Sequence, residues 1–207
     1  LTLWFQYIIA KECKGECFLV VYADDFIAGF QYPWEAERFY EQLRSRMAKF
    51  GLELEENKSR IVESGRYLAS LKAKRGESTR LGTFDFLGFT FYCGRTTKGN
   101  PWIMPKTSSK KFRQKVKEIK IWLYNNKEQK LGKLMYMLNV KLVGHYRYYG
   151  ISFNSRMISN YKQQVRELLY KVLNRRSEKK SYTREGFIEM MKYYKLVNPK
   201  IYYSLFC

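Results

Sequence analysis

The run FLVVYADDFIAGF, residues 18–30, constrains the fold of this 207-residue chain more than any other. Apolar residues on either side of two adjacent carboxylates read as two short strands, about 18–22 and 26–30, joined as a hairpin through Ala23, Asp24 and Asp25. Asp at a hairpin tip is ordinary turn chemistry, because its side chain bonds the local backbone and tolerates turn dihedrals. Here Val20, Val21 and Tyr22 run into the pair and Phe26 and Ile27 run out of it, which predicts carboxylates held on a buried sheet. Uncompensated there, they repel each other and lose hydration. A divalent cation offsets both effects, and hard, oxygen-seeking Mg2+ suits a site with few protein carboxylates. From the residues alone, a metal-binding pair and a strained turn both remain open.

The surrounding sequence supports an α+β module. The opening LTLWFQYIIA is apolar and helix-like, so the chain reads as a piece of a longer polypeptide. Pro33 and Gly51 bracket a helix whose apolar stripe, Ala36, Tyr40, Leu43, Met47 and Phe50, would pack on the sheet. LELEENKSRIVE alternates and turns over at 56–59, which predicts a second hairpin, and the polar stretch 72–82 reads as a surface loop. FDFLGFTFYCG restores the strand signal, with Gly88 interrupting a bulky strand as at a bulge or a close backbone approach. Residues 94–105 read as the turn of a further hairpin and then a linker.

From Thr107 the periodicity becomes helical. Phe112, Val116, Ile119 and Leu123 line a first helix with Thr107 or Ser108 as its cap. Leu134, Leu138 and Leu142, with His145 in phase, line a second over 131–149. Tyr161, Val165, Leu168, Leu169 and Val172 line a third over about 157–176, and a shorter helix follows Thr183. The expected organisation is an α+β portion at 1–91, a hairpin and linker at 92–106, and a basic helical bundle at 107–207.

Charge follows the same division. Residues 1–91 hold 13 basic and 13 acidic side chains, whereas 92–207 hold 26 and 6 and carry the whole net charge of +20. Self-repulsion of that size destabilises a compact state unless a polyanion offsets it, so nucleic acid is the leading partner. In the first helix Lys110, Arg113, Lys117 and Lys120 recur every three or four residues, with Lys111 and Lys115 on the other flank and only Glu118 opposing them. Lys141, Arg147, Arg166, Arg175 and Arg176 continue the pattern among tyrosines, a combination suited to phosphate contacts with stacking.

Composition removes other chemistries. A single histidine excludes a His-pair metal site, and four cysteines with one close pair, Cys13 and Cys17, read as free thiols in a reducing cytoplasm. No apolar run approaches the ~18 residues that would span a bilayer.

The string YADD, in strand-turn-strand context, resembles the signature of reverse transcriptases. LWFQ before it, GLELEENKSRI and FDFLGFTFYCGRT after it, and the later LNVKLVGHYRYYG resemble the bacterial group II intron reverse transcriptase and maturase family, in the same order and at similar spacing. The resemblance implies an RNA-directed DNA polymerase palm followed by a thumb that also binds intron RNA as a maturase. It assigns Asp24 and Asp25 to a two-Mg2+ nucleotidyl-transfer site, Asp24 as the firm ligand and Asp25 as a weaker one. It places Tyr22 below the primer end, Ala23 where nucleic acid passes close by, Lys58 beside the triphosphate, and Phe86, Leu87 and Gly88 on the primer strand. The implied partners are intron RNA, an RNA template with a DNA primer, and dNTPs. The family's third carboxylate and its fingers have no counterpart in this sequence, so the chain alone is expected not to polymerise. A non-enzymatic RNA-binding splicing factor and a prokaryotic reverse transcriptase of another role are the competing readings.

Overall fold

Residues 17–30 form the expected hairpin in a computed structural model that describes residues 1–55, 59–78, 81–176 and 182–205. Strand β1 (Cys17–Tyr22) pairs antiparallel with β2 (Asp25–Phe30), Tyr22 opposite Asp25 and Phe18 opposite Gly29. The Phe18 ring lies across the position that a Gly29 side chain would fill, so any larger residue there would have to push the ring aside.

One face of this two-stranded sheet carries Cys17, Leu19, Phe26, Ala28 and Phe30 into a small core around Phe5, Ile9, Phe39 and Leu43. Those four come from an N-terminal helical segment and from α3 (Pro33–Ala48). The N-terminal segment runs as α1 (Thr2–Trp4), a π-helical stretch Phe5–Ile9 and α2 (Ala10–Glu12). Pro33 opens α3, where its missing N–H costs nothing. The opposite sheet face leaves Phe18, Val20 and Tyr22 exposed. The expected burial of the acidic pair is therefore corrected: Asp24 and Asp25 are exposed, because the sheet has two strands and the core covers one side.

The stripe on α3 is also offset from expectation. Glu35, Phe39 and Leu43 are its buried residues, while Phe50 is exposed beyond the helix end. A buried carboxylate needs partners, and Oε1 of Glu35 accepts from the backbone N–H of Lys14 at 2.6 Å and Gly15 at 3.2 Å. Further on, 52–55 and 59–65 form no strand, and residues 56–58 of the turn predicted at 56–59 lie outside the described residues. Helix α4 (Arg66–Lys74) extends into the predicted loop and buries Ala69.

Strands β3 (Phe84–Phe86), β4 (Phe89–Arg95) and β5 (Pro101–Thr107) form a three-stranded sheet in that order. The single strand expected from FDFLGFTFYCG is thus two, turning at Leu87 and Gly88, and most of the expected linker is β5. Packing separates the chain into two compact units, Leu1–Phe86 with Arg95–Trp102, and Leu87–Gly94 with Ile103–Cys207.

The second unit is built on α5 (Ser109–Asn125), α6 (Leu131–Tyr149), α7 (Ser155–Leu173) and α8 (Arg184–Tyr193). Ser108 caps α5 by accepting from Lys111 N–H, and Thr183 caps α8 by accepting from Gly186 N–H. The 3.6-residue periodicity places Leu123, Leu134, Leu138, Leu142, Val165, Leu169 and Val172 in one core with Phe89, Tyr146 and Tyr149.

Asn154 joins the pieces of this unit. Fully buried, its Oδ1 accepts from Thr107 N–H at 2.8 Å while its Nδ2 donates to the Thr107 hydroxyl and the Tyr149 carbonyl, each at 2.8 Å. The end of β5, the end of α6 and the start of α7 thus share one side chain. Substituting Asn154→Ala leaves the buried Thr107 N–H without its acceptor and is expected to destabilise the protein by about 2–4 kcal/mol. Urea unfolding followed by circular dichroism measures it, and a loss under about 1 kcal/mol would contradict this role.

Candidate functional site

A two-residue turn, Ala23 and Asp24, joins β1 to β2, and the acidic pair straddles its end. Ala23 has φ +50°, in the left-handed region that costs a non-glycine residue about 1 kcal/mol, so strain sits beside the carboxylates. Asp24 follows it at the tip, and Asp25 begins β2 opposite the exposed Tyr22. The turn chemistry and the carboxylate pair thus coexist. Two exposed carboxylates with oxygen donors fit a Mg2+ ion that keeps waters and phosphate oxygens in its shell. Among the described residues no group of three His, Cys, Asp or Glu side chains comes together to hold a metal. Lys58 lies outside the described residues.

Phe86, Leu87 and Gly88 surround the turn from β3 to β4. Leu87 (φ +50°) and Gly88 (φ +78°) are both left-handed, as a type I′ hairpin turn requires. Gly88 is explained by this conformation and by the close approach of Tyr149, whose hydroxyl would stand 3.2 Å from an added Cβ. The Leu87 carbonyl accepts from the Tyr148 hydroxyl at 2.9 Å, and the Gly88 carbonyl accepts from Ser108 N–H at 2.9 Å. Both turn residues pack with the helical unit.

On α5, Lys110, Arg113, Lys117 and Lys120 are all exposed and share a face by their spacing. Lys115 pairs with Glu118 at 2.8 Å, which holds that carboxyl below its ordinary range. Lys141 lies 5.0 Å from the Trp122 ring, and Arg175 donates to the Tyr124 hydroxyl at 2.7 Å, so both cations are already oriented by aromatics. Arg147 is exposed and Arg166 half-buried. Arg176 differs, with its Nε and Nη2 atoms buried. Of the neighbouring tyrosines, Tyr146 and Tyr149 are core and Tyr148 is exposed. The described helices include none long and apolar enough to cross a membrane.

A family model for reverse transcriptase (RNA-dependent DNA polymerase) matches residues 4–91, and one for the group II intron maturase-specific domain matches residues 109–194. The chain belongs to the group II intron reverse transcriptase and maturase family. Comparison with curated proteins and with solved structures returns no significant match. Helices α5 to α8 are therefore the maturase-specific domain, and the acidic hairpin lies in the reverse transcriptase region. Reverse transcriptases as a family are RNA-directed DNA polymerases that use Mg2+.

Within the maturase-specific domain, His145 is a core residue. Its ring stacks on Tyr161 with centroids 3.7 Å apart and lies 4.7 Å from Tyr149. Burial, with the Lys115 ammonium nearby, pushes its pKa down from 6.5 to about 4. Burial conversely raises the Tyr161 and Tyr146 hydroxyls, so both stay neutral in the physiological range. Two other contributors carried no sequence signal: Tyr148, one tyrosine among three, and Glu35, one glutamate among ten in the first half.

A neutral His145 makes stability depend on pH. Between pH 6.5 and about 4 the unfolded chain binds a proton that the folded chain refuses, so this contribution is complete above pH 6.5 and is lost as pH falls through that window. The expected loss is about 3 kcal/mol. Urea midpoints at pH 7.5 and pH 4.5 should differ accordingly, and His145→Phe, which keeps an aromatic ring on Tyr161, should flatten the difference. An unchanged slope in that variant would contradict the assignment.

Proposed function

We propose that this chain supplies the acidic palm hairpin and the thumb of a group II intron RNA-directed DNA polymerase that is also a maturase for its intron. The observation that carries the reading is the exposed carboxylate pair where a strained two-residue turn enters β2, in the region matched as reverse transcriptase. In this reading Asp24 and Asp25 would hold Mg2+, with Asp24 as the principal ligand. When bound, the metal ions lower the pKa of the primer 3′-hydroxyl and neutralise the triphosphate. Ala23 keeps the tip small where nucleic acid passes, and Tyr22 supports the hairpin below the primer end. Lys58 would stand beside the triphosphate as a cation or proton donor. Phe86, Leu87 and Gly88 would meet the primer strand. Lys110, Arg113, Lys117, Lys120, Lys141, Arg147, Arg166, Arg175 and Arg176 would engage the template–primer duplex and folded intron RNA in the cytoplasm.

Two carboxylates are too few for the two-metal chemistry, so the chain by itself should not polymerise. A third carboxylate and a nucleotide-binding fingers region must come from outside these residues. The competing splicing-factor reading treats the first unit as scaffold. Exposure of the pair removes burial cost as a reason to prefer the enzyme, and the reverse transcriptase match is what favours it.

Two measurements test the proposal. In the complete polymerase, Asp24→Ala should reduce Mg2+-dependent primer extension to background while intron RNA binding stays intact; extension that survives the substitution, or synthesis by the 207-residue chain alone, would overturn the assignment. Binding of this chain to intron RNA should weaken by about 10³-fold or more between 50 and 200 mM salt if six to ten phosphates are neutralised. A nearly flat salt dependence would contradict the electrostatic account.

A further inference from the structure

The turn at Leu87 and Gly88 is an unusual one. Type I′ turns favour Asn, Asp or Gly at both central positions, because both need positive φ, yet Leu87 holds the first at +50°. A left-handed leucine is disfavoured locally, so something outside the turn must hold it. The structure supplies two long-range bonds, the Tyr148 hydroxyl on the Leu87 carbonyl and the Ser108 N–H on the Gly88 carbonyl, both at 2.9 Å. Tyr148 is itself fixed. Its ring lies nearly parallel to Phe89, 11° between planes and 5.9 Å between centroids, and the edge of Tyr149 meets it at 4.8 Å.

Tyr148 nonetheless remains 53% exposed. Its hydroxyl could be satisfied by water, so the bond to Leu87 contributes little to the folded state as a whole, and its specific effect is on where the turn points. With both turn carbonyls engaged, the groups that would repel a phosphate are turned toward Tyr148 and Ser108.

We infer that Tyr148 is a positioning residue for the primer strand, acting by holding the left-handed Leu87–Gly88 turn in a fixed orientation. This rests on the reading above in which the turn meets the primer. A misplaced turn shifts the primer 3′-hydroxyl from its line of attack, which lowers the chemical rate more than it weakens binding. The maturase-specific domain thereby contributes to polymerisation through one hydroxyl on α6, besides any grip on RNA.

The test is single-nucleotide primer extension by the complete polymerase, comparing wild type, Tyr148→Phe and Tyr148→Ala, beside the thermal stability and intron RNA affinity of each. Tyr148→Phe keeps the stack on Phe89 and loses only the bond, so kcat should fall about fivefold, the equivalent of one hydrogen bond, with the template–primer KM nearly unchanged. Its melting temperature and its RNA affinity should match wild type. Tyr148→Ala, which also removes the ring, should lower kcat further. If the wild type extends primers and Tyr148→Phe does so equally well, or loses kcat only in step with stability, this inference is overturned and the polymerase reading stands. If the wild type extends nothing, the polymerase reading fails and this inference with it.

Discussion

The helical unit depends on a single buried amide. Asn154 uses its carbonyl and its amino group together, so that β5, α6 and α7 meet at one point with both polar atoms of the amide paired. Apolar packing alone could let the long α6 and α7 slide against each other, because a leucine-lined face is tolerant of register. A hydrogen-bonded amide is not tolerant, since any shift strands the Thr107 N–H inside the protein. Once the end of β5 is fixed, Ser108 follows, capping α5 and bonding the Gly88 carbonyl. The placement of the Leu87–Gly88 turn is thus downstream of the Asn154 junction.

Charge is arranged around the same scaffold. The first 91 residues are balanced, and the excess of basic side chains falls on the later part of the chain, with Lys110, Arg113, Lys117 and Lys120 exposed on one helix. Such a surface repels itself and becomes favourable only against a polyanion. The aromatics do two different jobs within it. Tyr146, Tyr149 and Tyr161 build the core with a neutral His145, while Trp122 and Tyr124 orient Lys141 and Arg175 at the surface.

Much of this was legible beforehand where a long repeat carried the signal. α6 begins and ends where the periodicity of Leu134, Leu138 and Leu142 predicts, and the β1–β2 hairpin follows from two apolar runs meeting at a polar pair. Short or unpatterned elements escaped. α4 lies in a charged stretch with Ala69 as its one buried residue, and β3, though inside the expected strand FDFLGFTFYCG, is too short at three residues to be read apart from β4. On α3 the apolar stripe misled by one position, because Glu35 is buried through bonds to Lys14 and Gly15 that no periodicity encodes.

The sequence by itself determined the class of the protein. YADD between apolar strands, the collinear family segments and the one-sided charge required an acidic hairpin followed by a basic helical bundle, because strand and helix periods and charge are local properties of the chain. The tertiary structure decided what depends on distant partners. It exposed the carboxylates, since only one face of a two-stranded sheet finds a core. It turned one expected strand into a hairpin at Leu87 and Gly88, since Tyr148, 61 positions from Leu87, and Ser108, 20 positions from Gly88, hold a backbone conformation that leucine disfavours.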